Sequence, residues 1–264
     1  MGVAADRWRT ALGEWAIPVD ILAAAPADPY TYSTQLFRSG GDQAEDTPSM
    51  RAARSALGDG GTVLDVGCGG GRSSLPLGGA MTRLTGVDPS EPMLAQFRRS
   101  ARGVVAADTV LGRWPDVAGR VPHADVVVCH HVVYNVADIV AFVRILSEHA
   151  RTAVVVELTN AHPQAPLNGL WREFWGIERP TQPTAALFVD VVRELGFDPT
   201  VTPFRRGRRS APLATDELIA HVRQRICLPA SRDPEIAAAL GPDPQLTADE
   251  LVTVTWSIRP GPGR

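Results

Sequence analysis

From residue 62 onward, short apolar runs alternate with longer stretches whose apolar residues recur at helical spacing. Residues 62–66, 83–87, 104–107, 124–129 and 152–158 read as strands, and the fourth carries three consecutive valines. Continuous β-branched runs suit strands buried on both faces of a parallel sheet. Residues 91–101, 136–149 and 184–195 read as helices. The second presents Val136, Ile139, Val140, Val143 and Leu146 on one face. The third presents Phe188, Val191, Val192 and Leu195 and stops at Gly196. Strand–helix alternation predicts right-handed crossovers and a doubly wound α/β fold. Runs at 200–204 and 251–258 complete a mostly parallel, seven-stranded sheet of Rossmann-like type. Helices at 216–226 and 233–240 form a helical insertion, residues 205–249, before the last strand.

Upstream, Trp8, Leu12 and Trp15 recur at helical spacing and Pro18 closes that segment. A turn-rich stretch runs from Pro26 to Tyr32. Thr47 then reads as an N-cap, with Pro48 at the first helical position and Gly58 as the stop. The expected division is an N-terminal helical cap, 1–60, and a Rossmann-like domain, 61–264.

Composition narrows the partners. The chain has 264 residues, 44% of them hydrophobic, which suffices for one large domain with a helical attachment. A formal net charge of -3 suits a phosphate backbone poorly, so no nucleic-acid partner is expected. The basic run Arg205, Arg206, Arg208 and Arg209 reads best as a solvated turn. Cys68, Cys129 and Cys227 lie far apart without a CxxC pair, so no metal is expected and a reducing compartment is. Asp6, Arg7, Arg9 and Glu14 interrupt the N-terminal apolar residues, unlike a secretion signal. No run of roughly 18 apolar residues occurs, so no membrane span and a cytoplasmic location are expected.

Open α/β sheets bind ligands beyond the carboxyl ends of their strands. After the first run comes Asp65-Val66-Gly67-Cys68-Gly69-Gly70-Gly71-Arg72-Ser73, a turn whose glycines let backbone approach a ligand closely. A following helix would add free N–H groups and a positive dipole end. Arg72 stands where a GxGxxG fingerprint begun at Gly67 needs glycine, so the loop suits a nucleoside joined to an amino acid better than a pyrophosphate. Asp88, after the second run, can accept hydrogen bonds from both ribose hydroxyls. Asp108, after the third, can accept from an adenine amino group. Cys129-His130-His131-Val132-Val133-Tyr134-Asn135 follows the fourth.

These residues carry a resemblance. Val-Leu-Asp-Val-Gly-Cys-Gly-Gly-Gly at 63–71 resembles motif I of class I S-adenosylmethionine-dependent methyltransferases. Residues 86–93, 107–109 and 125–136 resemble the segments that follow it, in order and with ordinary spacing over about 62–160. The resemblance implies S-adenosylmethionine as cofactor and assigns Asp65, Gly67, Cys68 and Gly69 to its methionine part. It assigns Asp88 and Pro89 to the ribose, Met93 to the adenine face, Asp108 and Thr109 to the adenine edge, and Cys129 and His130 to the neighbourhood of the sulfonium.

The sulfonium is an activated methyl donor, so the protein's task is to align an acceptor for in-line displacement. A hydroxyl acceptor also calls for a base, and His130, His131, Tyr134 and His162 are the candidates. Adjacent residues of an extended chain face opposite ways, so His130 and His131 cannot both serve. Trp171 and Trp175, four apart on a helix, can wall an acceptor pocket, and Tyr30 and Tyr32 can close it. No Asn-Pro-Pro-Tyr signature of amino-directed DNA methyltransferases occurs. The expected activity is O- or N-methylation of a small molecule. The alternatives are a cofactor-binding module without turnover and a nicotinamide-dependent oxidoreductase.

Overall fold

A computed structural model describes residues 2–30, 46–205, 215–242, 244 and 249–258. Its centre is one seven-stranded sheet in the order β3-β2-β1-β4-β5-β7-β6. The strands are β1 (Gly61–Val66), β2 (Met81–Asp88), β3 (Ala107–Leu111), β4 (Ala124–His130), β5 (Ala150–Thr159), β6 (Thr200–Arg205) and β7 (Glu250–Ser257). Strands β1 to β5 run parallel, and β7 is antiparallel to both β5 and β6. The expected doubly wound, mostly parallel fold is therefore present. Chain order reverses between β1 and β4, which opens a crevice at their carboxyl ends.

Helices cover both faces. Helices α1 (Val3–Gly13), α5 (Ile139–His149) and α7 (Ala185–Glu194) supply one core, with Trp8, Phe142, Leu146, Phe188 and Val192 packed on Val127, Val154 and Val254. Helices α3 (Pro48–Leu57) and α4 (Glu91–Ala101) supply the other, with Met50, Leu57, Leu94 and Phe97 packed on Val63, Leu84, Val126 and Val155. Residues 1–60 thus send α1 and α3 to opposite faces of the sheet. Glu194 of α7 accepts from the backbone N–H of Ala4, which pins the start of α1.

Local signals set several boundaries. The Thr47 side chain accepts from Met50 N at 3.2 Å, and Gly58 ends α3 at φ 58°. Helix α5 begins three residues later than the apolar stripe suggests, because the Asp138 side chain caps it through Ala141 N. The third strand is also displaced from 104–107 to Ala107–Leu111. Val104 and Val105 hydrogen-bond back to Ala101 and form the exit turn of α4, together with Gly103 at φ 76°.

The insertion contributes α8 (Thr215–Arg225) and α9 (Asp233–Leu240). Their Val222, Ile226 and Ile236 pack with Leu167, Leu170 and Trp171, around α6 (Asn168–Trp175), into a third cluster. Ile17 and Ile21, the latter on α2 (Val19–Ala24), pack against it. Among the described residues no helix is long and apolar enough to cross a membrane.

Candidate functional site

Strand β1 delivers Asp65 and β2 delivers Asp88 to the crevice. In register, Asp65 lies opposite Gly86, and Asp88 is the last residue of β2. The glycine loop is folded onto β2, with Gly67 N and Cys68 N donating to Val87 O at 2.8 and 3.0 Å. Gly67 adopts φ 74°, and a Cβ there would sit 2.3 Å from Val132 Cγ2, so the loop abuts the exit of β4. Gly69 has φ 49°, but a Cβ there would meet nothing within 4 Å. Open space at this backbone is what a closely approaching ligand requires.

Both oxygens of Asp88 are engaged, Oδ2 by Gly69 N and Oδ1 by Ser90 N, each at 2.9 Å. Each carboxylate oxygen has a second lone pair, so two acceptor positions remain. Asp65 is 0% exposed; its Oδ2 accepts from Ser73 Oγ (2.7 Å) and Ser74 Oγ (2.6 Å), and its Oδ1 is buried with no partner. A buried carboxylate oxygen without a partner is uncommon in folded proteins. Burial pushes the Asp65 carboxyl up to about 6, against the two serine hydrogen bonds and with a smaller push from Asp88.

That shift has a measurable consequence. Folding raises the pKa, so the group favours the native state below about pH 4, and this contribution is lost as pH rises through about 6. Asp65→Asn cannot ionise. Its stability relative to the parent chain is expected to rise by about 3 kcal/mol between pH 4 and pH 7. Denaturant unfolding at several pH values measures this difference; parallel profiles would mean that Asp65 titrates normally.

Other expectations need correction. No α-helix follows the glycine loop. Pro76, Gly78 and Gly79 leave only a short 3-10 helix, Leu75–Ala80, kinked at Gly78, so the glycine loop leads into no α-helix. Asp108 is not at a strand end: it is the second residue of β3, pairs with Thr85, and is bridged to Arg83. At about 3.3 Å per residue, it lies about 10 Å back from the strand end, where Leu111 pairs with Asp88. Thr109 is likewise within β3 and accepts from Arg98. The residues that leave β3 at the crevice edge are Gly112, Arg113 and Trp114. The expected strand at 104–107 put both residues at its end; the observed strand, Ala107–Leu111, holds them inside it.

The Cys68 and Cys129 side chains are buried in the two sheet cores, and burial raises both thiols well above their usual range. Neither thiol lines the crevice. Pro89 is exposed next to Asp88. Met93 is half-buried on α4 and outside the three apolar clusters, which leaves it available to cover a flat ring.

Among the candidate bases, Tyr134 is committed to structure. It is buried, donates to Thr159 O at 2.7 Å, stacks on Trp8, and burial raises its hydroxyl. His162 stacks on Trp15 with centroids 3.8 Å apart, and its Nδ1 accepts from Gln164 N. Burial, with Arg179 nearby, pushes its pKa down to about 3, which makes it a weak base. His130 ends β4, half-buried and in register with Glu157. His131 follows at φ 60°, exposed, with Nε2 3.1 Å from Glu157 Oε1.

The tryptophans pack among the helices. Trp171 and Trp175, with centroids 6.4 Å apart, belong to the helical cluster; Trp175 Nε1 donates to Ile226 O, and the Arg179 guanidinium covers Trp171 at 4.9 Å. Tyr30 is exposed, and Tyr32 lies outside the described residues, as do Arg206, Arg208 and Arg209. Among the described residues no group of three or more His, Cys, Asp or Glu could hold a metal. Sequence reasoning passed over Glu157, although one carboxylate inside an apolar run is itself a signal.

Residues 63–153 match the family model described as a methyltransferase domain. That segment runs from β1 into β5 and holds the glycine loop, Asp65, Asp88 and His131. The chain has no match among curated protein sequences. Its fold is similar to that of magnesium protoporphyrin IX methyltransferase from Synechocystis PCC 6803 with bound SAH, at 17% identity and TM-score 0.51, over 96% of this chain and 92% of that one. It is also similar to a putative methyltransferase from Bacillus halodurans C-125 at 15% identity and TM-score 0.51, over 84% and 100% of the two chains. Coclaurine N-methyltransferase bound to N-methylheliamine and SAH matches at 13% identity and TM-score 0.51, over 96% and 86%. At such identities the likeness is one of fold.

Proposed function

We propose that the crevice between β1, β2 and β4 binds S-adenosylmethionine and that the protein transfers its methyl group to an oxygen or nitrogen of a small molecule. The observation that carries this reading is the pairing of Asp88, anchored to Gly69 at the end of β2, with the buried, half-satisfied Asp65 at the end of β1. Asp88 would accept from the ribose hydroxyls. Asp65 and the open backbone at Gly69 would hold the methionine ammonium and carboxylate end, and Met93 would cover the adenine. When bound, the cofactor supplies a methyl group on a positively charged sulfur. The chain's own part is to hold the acceptor in line and exclude water.

A small acceptor is favoured over a nucleic acid by the net charge of -3. Calorimetry with S-adenosylhomocysteine and, separately, with NAD tests the cofactor reading. One-site binding of the former and no heat from the latter is expected; the reverse would overturn it. Radiolabelled S-adenosylmethionine incubated with panels of phenols, alcohols, amines and oligonucleotides tests the acceptor. Product from the small molecules alone is expected, and product from oligonucleotides would overturn that part.

A further inference from the structure

Among the described residues, Glu157 is a strand carboxylate placed against a histidine. It sits in the carboxyl half of β5, 1% exposed, in register with His130 on β4 and Thr253 on β7. His131 leaves the end of β4 in the left-handed region, φ 60°, which is uncommon for a residue with a Cβ. Two contacts to the same residue hold it there: its backbone N–H donates to Glu157 O at 2.7 Å, and its ring Nε2 is 3.1 Å from Glu157 Oε1. Backbone strain held by a buried partner is characteristic of functional positions. The position fits as well, because the next residue, Val132, packs against Gly67 of the glycine loop.

We infer that Glu157 orients His131 as the general base of the reaction and that the acceptor is therefore a hydroxyl, a phenol or alcohol that must lose its proton. This rests on the methyl-transfer reading above. An ionised carboxylate can only accept, so Nε2 carries the hydrogen and Nδ1 keeps its lone pair. The hydroxyl proton passes to Nδ1 as the acceptor oxygen bonds to the methyl carbon. The carbon–sulfur bond breaks and its pair goes to sulfur, which becomes a neutral thioether. The imidazolium that results stands beside the Glu157 carboxylate. His131 is the residue that touches the acceptor; Glu157 is a positioning residue that acts through it. An amine acceptor that is already neutral would need no such pair.

Two experiments on the full chain with bound S-adenosylhomocysteine or S-adenosylmethionine test this. Nitrogen-15 NMR of the histidine rings reads the tautomer without any turnover. His131 is expected to carry its proton on Nε2, and Glu157→Gln, which replaces a charged acceptor by a neutral one, is expected to shift the Nε2 resonance. An Nδ1-protonated ring in the parent chain, or an Nε2 resonance unmoved by Glu157→Gln, would overturn the dyad. The second experiment uses His131→Gly, because glycine accepts the left-handed backbone and should leave the loop intact. Turnover of the phenol and alcohol panel is expected to fall by about 100-fold or more and to recover when imidazole is added. Glu157→Gln is expected to lower kcat by about tenfold or more, with S-adenosylhomocysteine affinity within about twofold of the parent. Product from amines alone, at a rate unaffected by His131→Gly, would overturn the base while leaving methyl transfer standing. Absence of product from every panel by a cofactor-bound protein would overturn the transfer reading itself, and the NMR result would still judge the dyad.

Discussion

Asp88→Ala is expected to weaken S-adenosylhomocysteine binding by at least about 100-fold. Hydrogen bonds to a charged acceptor contribute about 1.5–3 kcal/mol each, and a ribose offers two hydroxyls to this carboxylate. Losing both is about 3–6 kcal/mol, or about two to four orders of magnitude in Kd. The substitution also releases Gly69 N and Ser90 N from their 2.9 Å bonds, so the loop loses the side chain that holds it open toward the crevice. Asp108→Ala is the matched control. Asp108 is bridged to Arg83 on exposed surface, so its removal should change affinity by less than about twofold, as for an exposed ion pair. Calorimetric titration of the three proteins checks both. Undiminished affinity in Asp88→Ala, or an equal loss in Asp108→Ala, would overturn the ribose assignment.

Trp8→Ala is expected to destabilise the protein by about 3–5 kcal/mol, the range for removing a large buried aromatic. Trp8 is 0% exposed. It stacks on Tyr134 with centroids 5.6 Å apart, tilts against Phe188 at 6.0 Å, and donates through Nε1 to Val136 O at 2.9 Å. The cavity would open under the 133–135 turn that follows His131, so the catalytic side of the crevice should loosen along with the core. Trp8→Phe keeps most of the volume and loses the hydrogen bond, and a loss of about 1–2 kcal/mol is expected for it. Denaturant unfolding of both variants gives the comparison. A Trp8→Ala effect under about 1 kcal/mol would show that α1 is a dispensable addition rather than part of the α5–α7 layer.

The elements legible in the sequence are those whose own residues force them. Ala124–His130 and Ala150–Thr159 are strands because their valines can be buried on both faces. Thr47 and Gly58 bound α3 by capping chemistry contained within a few residues. The edge strand β3 was misplaced for the same reason: it borders only β2 and carries Asp108 and Thr109, so it lacks a buried run. Composition also could not reveal that Pro76 and Gly78 reduce the segment after the glycine loop to a 3-10 turn.

The site divides along a similar line. The glycine loop and Asp88 are local features: a turn that needs positive φ, and an acid at the end of an apolar run. The sequence by itself determined the α/β class, the glycine loop and the acid at 88. Tertiary structure decided which candidates are available for chemistry. Tyr134, His162, Trp171 and Trp175 have suitable chemistry and spacing, but α1, the Arg179 loop and the insertion helices engage them from distant parts of the chain. Asp65 became an orphan acceptor only once folding buried it. Glu157 met His131 only when β5 paired beside β4. Local pattern fixes what a segment can form. Which polar groups are satisfied, and which remain free to act, depends on contacts between residues far apart in the chain.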